Sequence, residues 1–229
     1  MQPTSIMMEI KRFLQLNPIV SANSNEDGRV NSNYDEAKII LSLQEKFSDK
    51  VIVKLPPRAT GDFAVMDPET EIDGFTTVNI KSTTKGFDNA FSKKGLLLSF
   101  TDLKYEEINN AKLTWSTLYK LLTTKKKFIN RDYWYFVFNK NNMRDFRIKG
   151  MQDITHWKCN PTNMLQIDWK NEWDAINNKT VEDAYKEIHH GIKVCMAKDM
   201  INKLPFLFEN TNNDNIKKHL QGVVNGNIQ

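Results

Sequence analysis

Three residues in "TGDFAVMD" and "TTVNIKSTTKG" have the types and spacing for chemistry on a phosphate group: Asp62, Asn79 and Lys81. Both stretches read as strands, and the turn-rich "PETEIDG" between them reads as the connection of an antiparallel hairpin. Strand side chains alternate with period two, so Val78 and Ile80 share one face while Asn79 and Lys81 share the other. Asp62 opens the first strand. If the hairpin pairs, a carboxylate, an amide oxygen and an amine converge at one end of a sheet. A hard cation such as Mg²⁺ takes oxygen ligands, one or two of them from protein and the rest from water and substrate phosphate. Asp62 offers a charged oxygen and Asn79 a neutral one. Lys81 can position or help deprotonate an attacking water and can stabilise charge developing at phosphorus. Hydrolysis of a phosphodiester needs all three in one place. The same residues have ordinary uses: Gly-Asp before a strand is a common turn, and Asn-x-Lys a common solvated strand face.

The elements that must position this trio can be read along the chain. Residues 5–16 form an amphipathic helix with Ile6, Ile10, Phe13 and Leu14 at helical spacing, ended before Pro18. "SANSNEDGRVNSN" reads as a polar loop. "YDEAKIILSLQEKF" (34–47) is a second helix with Ala37, Ile40, Leu41 and Leu43 as its apolar stripe. "VIVKL" (51–55), "DFAVMD" (62–67) and "FTTVNIK" (75–81) are strands, the first stopped by Pro56-Pro57. "LLLSF" (96–100) suits a buried strand or the start of a loop. "NNAKLTWSTLYKLLTT" is a helix with Leu113, Leu118, Leu121 and Leu122 inward. "DYWYFVF" (132–138) is a core strand, "NKNNMRD" a hairpin tip, "FRIKG" the return strand, and "MLQIDW" (164–169) a further strand. From Thr180 runs a long helix with Thr180 and Asp183 as a capping box and Val181, Tyr185, Ile188, Ile192 and Cys195 as its stripe. The order predicts an α/β (α+β) domain with a mixed central sheet flanked by helices, spanning residues 1–229. From about residue 210 the chain is polar and Asn/Gly-rich, and a loose tail or partner-dependent arm is expected there.

The chain has 229 residues, 40% apolar and 26% charged, an ordinary balance for one globular domain. A net charge of +4 permits a polyanionic partner without demanding one. Cys159 and Cys195 stand far apart with no CxxC spacing, which argues against a zinc site and fits a reducing cytoplasm. Cys195, on the apolar stripe, is expected to be buried. No targeting run or membrane span is expected. Phosphate-binding loops and dinucleotide fingerprints are absent, so no nucleotide cofactor is expected. His156, His189 and His190 lack metal-ligand spacing.

"GDF…NIKSTT" resembles the PD-(D/E)xK motif of type II restriction endonucleases, and within them the EcoRV-like, blunt-cutting branch. The resemblance covers roughly residues 34–140. It implies a restriction-endonuclease-like core, Mg²⁺ as cofactor, double-stranded DNA as substrate and a homodimer that cuts both strands of a palindromic site. It assigns the metal-binding aspartate to Asp62, the second ligand to Asn79 and the lysine to Lys81. Members of the family add an acid from a preceding helix, which here is Glu36, with Glu45 as the alternative. Two positions depart from the pattern. Gly61 stands where Pro is usual, a position that shapes only the start of the strand. Asn79 stands where an acid is usual, which removes one negative charge from the metal site.

Contacts to DNA are expected from the loops that follow. Ser82, Thr83, Thr84, Lys85, Lys93 and Lys94 suit phosphate oxygens. "TTKKKF" (123–128) adds three positive charges, which would also complement a helix C-terminus. Asn139, Asn141, Asn142 and Arg144 lie at a hairpin tip, where amides can pair with adenine and arginine with guanine, although such residues are also good turn formers. In "THWKCNPTN", Trp157 and Asn163 could read bases or could pack and cap locally. The shortage of arginine leans the expected site towards A·T-rich sequence.

Overall fold

The computed structural model describes residues 3–19, 28–68, 74–83, 89–128, 133–160, 164–207 and 214–226. Helix α1 (Ser5–Leu16) buries Met7, Ile10 and Leu14. Helix α2 (Gly28–Phe47) begins well before Tyr34, so residues 28–33 are helical rather than the expected loop. Its buried stripe is Ile39, Ile40 and Leu43, whereas Leu41 is exposed. Ile39 and Leu43 stand four residues apart and so meet the sheet together, and Leu41 faces away from them.

Strands β1 (Ile52–Lys54), β2 (Phe63–Met66) and β3 (Phe75–Thr83) form an antiparallel meander, in which the β2–β3 pairing is the expected hairpin. The two-residue strand β4 (Asn89–Ala90) leads into α3 (Lys93–Phe100). "LLLSF" is therefore helical, neither strand nor loop. Every residue from Gly95 to Phe100 is buried, and a helix apolar all round shows no helical period to read. Ser92 caps it by accepting the Gly95 N–H at 3.0 Å. The helix expected over 109–124 is two: α4 (Tyr105–Asn110) and α5 (Trp115–Thr124), the second restarted by the Thr114 side chain as N-cap. Leu118 and Leu122 are buried in α5, with Leu113 and Leu121 packed beside them.

After this helical crossover come β5 (Tyr133–Asn139) and β6 (Asn142–Gly150). β5 runs parallel to β3 and antiparallel to β6, giving a mixed five-stranded sheet, among the described residues, in the order β1-β2-β3-β5-β6. β7 (Trp157–Asn160) and β8 (Met164–Ile167) join β4 in a small second sheet. The short α6 (Trp169–Glu172) and the long α7 (Val181–Leu207) follow. Thr180 caps α7 by accepting the Asp183 N–H at 3.1 Å while donating to the Asp183 carboxylate at 2.7 Å.

β5 organises the layers. Tyr133, Tyr135 and Val137 join the core under α3, α5 and α7; Trp134, Phe136 and Phe138 join the core under α1 and α2. A strand covered on both faces reads as a continuous apolar run. The result is a mixed sheet with a helical layer on each side.

Two expectations are corrected here. The end of the chain is not simply loose, because α8 (Asp214–Val224) packs along α7 and buries Val223. Nor are the cysteines apart: Cys159 on β7 and Cys195 on α7 are joined as a disulfide, with their Cα atoms 5.2 Å apart. Sequence distance hid a contact that the packing of α7 on the second sheet creates.

Candidate active site

The β2–β3 hairpin places Asp62 and Asn79 side by side. Asp62 donates its N–H to the Val78 carbonyl at 2.8 Å, and its carboxylate accepts the Ile80 N–H at 2.6 Å. These two bonds bracket Asn79 from either side. Val78 and Ile80 turn into the core beneath α1 and α2, so Asn79 and Lys81 turn to the other face. In register with β5, Asn79 stands beside Tyr135 and Lys81 beside Val137.

Gly61 is what allows this approach. A Cβ there would lie 2.6 Å from the Val78 carbonyl oxygen and 2.7 Å from the Thr77 methyl. The strand start thus requires glycine on this backbone, and the departure from Pro is a local necessity, not a neutral change.

Asp62 and Asn79 line a cavity of about 480 Å³. Glu36 reaches the same cavity from α2, with Ala37 and Ile40 beside it. Glu45 is exposed and lies outside the lining, so of the two helix acids it is Glu36 that shares the cavity with Asp62 and Asn79. Burial pushes the Asp62 carboxyl up from its ordinary value, while the Lys81 ammonium and the Ile80 N–H pull it down. Lys81 is not part of the lining, yet its charge acts on Asp62 from the next outward position of the strand.

Asn79 is only 9% exposed, and its Oδ1 has no hydrogen-bond partner among the described residues. A buried acceptor left unpaired is costly. A carboxylate stands beside it, and both groups offer oxygen of the kind a hard ion such as Mg²⁺ takes. The residue types present therefore fit that ion: Asp62 and Asn79 could hold it, and Glu36 lines the same cavity. No cluster of three His, Cys, Asp or Glu side chains that could hold a metal ion occurs among the described residues.

The expected DNA contacts divide. Thr84, Lys85 and Asn163 lie outside the described residues. Thr83 is buried, and the Ser82 hydroxyl is enclosed with no partner among the described residues. Lys93 and Lys94 do not project freely. The Lys93 ammonium donates to the Leu113 carbonyl at 3.1 Å and lies over the Trp115 ring. The Lys94 ammonium donates to the carbonyls of Arg58 at 2.6 Å and Asn109 at 2.5 Å. Both open α3, where the helix dipole disfavours cations, and burial lowers the pKa of both. Carbonyl contacts offset that position. At the β5–β6 tip, Asn139 is spent on the turn: its amide donates to Asp145 and its oxygen accepts the Asn141 N–H. Asn142 accepts the Arg144 N–H, leaving the side chains of Asn141 and Arg144 exposed. The Lys140 N–H meets the Thr83 carbonyl at 2.9 Å, so this tip stands at the same end of the sheet as Lys81. Trp157 packs on α7, where a Cβ at Gly191 would meet its ring at 2.8 Å; it is a packing residue.

Sequence reasoning passed over the loop between β1 and β2. Lys54, Arg58 and Thr60 line the cavity, as does Ser92. Only a scarce arginine between Pro-Pro and Thr-Gly-Asp marked the place.

No protein-family model, curated protein or solved structure matches the chain.

Proposed function

We propose that the protein is a Mg²⁺-dependent type II restriction endonuclease, a homodimer that hydrolyses phosphodiester bonds on both strands of a palindromic double-stranded DNA site. One observation carries the reading. The buried Asn79 Oδ1, without a hydrogen-bond partner among the described residues, lines with Asp62 a cavity that Glu36 also lines. Lys81 follows on the same strand face, and the mixed sheet between helical layers is the architecture the motif resemblance implies. Bound Mg²⁺ would supply Lewis-acid stabilisation of the phosphate and of the attacking water. Asp62 and Asn79 would hold the ion. Lys81 orients the water and counters charge developing on the phosphate oxygens. Glu36 adds negative charge that Asn79 lacks. Two-fold symmetric sites suit a two-fold dimer with one such cavity per strand.

Asn79 in place of an acid favours a second reading, a non-catalytic sequence-specific DNA-binding protein on the same fold. A repair- or transposition-type nuclease would share the cavity without the site specificity. Digestion of a sequenced plasmid or phage DNA with and without Mg²⁺ separates the three. Discrete bands that need Mg²⁺ are expected. A smear assigns a general nuclease. Intact DNA with retained binding assigns the binder. An A·T-rich site fits the scarcity of arginine.

A further inference from the structure

The β1–β2 connection carries a residue at odds with its own backbone. Pro56 to Ala59 form a turn closed by the Ala59 N–H on the Pro56 carbonyl at 3.1 Å. Pro57 holds the second position and Arg58 the third, with φ of 67°. Turns of this kind place glycine third, because a positive φ crowds any Cβ. This turn has an arginine there, in a chain with only six.

The turn is held from three directions. The Lys94 ammonium bridges the Arg58 carbonyl and the Asn109 carbonyl, the latter one of the unpaired carbonyls that end α4. The Thr60 hydroxyl donates to the Asn109 side chain at 3.3 Å, and the Tyr133 hydroxyl donates to the Thr60 carbonyl at 3.1 Å. All of this fixes a loop whose own side chains are mostly exposed. Arg58 is exposed, has no carboxylate partner among the described residues, and lines the cavity that holds Asp62 and Asn79.

We propose that Arg58 is a phosphate-binding arm at the mouth of this cavity, engaging the DNA backbone next to the reacting phosphate, and that Lys94 is a positioning residue acting through it. The inference rests on the nuclease reading of the cavity. An unpaired guanidinium is a fork of donors matched to phosphate oxygens, and a turn held against its conformational preference fixes where that side chain leaves the loop, at the lining of the cavity. Lys94 thereby affects DNA without touching it. Its donors are turned to carbonyls, and its depressed pKa fits that enclosed place.

The test is equilibrium binding of the full-length chain to a labelled random-sequence duplex, without divalent metal, across a range of salt. Arg58→Gly suits the turn better than arginine does, so its melting temperature should not fall. Its affinity should drop several-fold, and its salt slope should shrink by about one phosphate contact. Lys94→Met should lose the same increment of slope. The double variant should lose no more than Arg58→Gly alone, since two residues acting through one contact do not add. An unchanged slope in Arg58→Gly overturns the arm. A Lys94→Met protein that melts earlier but keeps its slope overturns the positioning role. A wild-type chain that does not bind DNA overturns both this inference and the nuclease reading. Slope lost in Arg58→Gly, from a wild-type chain that never cuts, upholds the arm and removes only the nuclease.

Discussion

Asp62 carries a charge in a place that resists it. Because burial holds its carboxyl above the ordinary value, the folded state takes up a proton more readily than the unfolded chain does. The linkage sign follows: Asp62 favours the fold below the ordinary carboxylate value and loses that contribution as pH rises through its raised folded value. Asp62→Asn can still accept the Ile80 N–H and removes the buried charge. The variant should therefore melt higher than wild type near neutral pH, with the gap closing below about pH 4, while Mg²⁺-dependent cleavage disappears. Thermal scans across pH read the first effect and plasmid nicking the second. A variant less stable at neutral pH would contradict the electrostatic picture. Lys81 plays a different part. Lys81→Ala should fold and bind DNA, yet lose about 3–4 kcal/mol of transition-state stabilisation, on the order of 10²–10³ in rate; single-turnover cutting at the wild-type rate would end the assignment. Asn79→Asp restores an acid beside Asp62 and should lower the Mg²⁺ needed for half-maximal cleavage. An unchanged Mg²⁺ titration would take Asn79 out of the metal shell.

At the scale of elements, the hairpin depends on one absent side chain. Gly61→Ala forces a methyl against the Val78 carbonyl oxygen, where backbone and not a flexible tip must give. Overpacking of this kind costs about 1–3 kcal/mol, and the displaced strand start should carry Asp62 away from Asn79. Lower thermal stability together with a loss of cleavage is the expected pair of results; a variant as stable and active as wild type would show that the strands have room to part. How far these elements could be read from the chain depended on what each residue faces. The hairpin and its shared face were legible because alternation is local and Val78 and Ile80 point to a core. α3 was not, because burial on every side erased the period that identifies a helix. Glu36 could be nominated but not separated from Glu45, since both stand on one helix and only packing selects which of them reaches the cavity. Lys93 and Lys94 read as solvent-facing because nothing in their neighbourhood names the distant carbonyls of Leu113, Arg58 and Asn109. The disulfide escaped for the same reason: β7 and α7 are brought together by the tertiary fold alone.

For the whole molecule, the proposed cut of both strands, with one Asp62–Asn79 site in each chain, would need two chains. Light scattering of the DNA complex should return two copies per site. The exposed Leu16, Tyr34 and Leu41 on α1 and α2 are apolar surface that a second copy would cover; a strictly monomeric complex would refute the homodimer. The Cys159–Cys195 link closes a segment of 36 residues, so opening it with reductant should lower stability by about 2–4 kcal/mol, read as a fall in melting temperature that a Cys159→Ser variant reproduces. The parallel pairing of β3 with β5 has a temporal consequence. The hairpin that sets Asp62 against Asn79 joins neighbours in the chain and can close early, whereas β5 reaches β3 only once the α3–α5 crossover has folded back, and such distant closures are slow. In refolding followed by pulsed hydrogen exchange, the Asp62 and Ile80 amides should gain protection before those of Phe136 and Phe138, the β5 residues that share the parity of the Lys140 N–H bonded to the Thr83 carbonyl of β3. The Asp62–Asn79 pair would then assemble ahead of the strand that backs it.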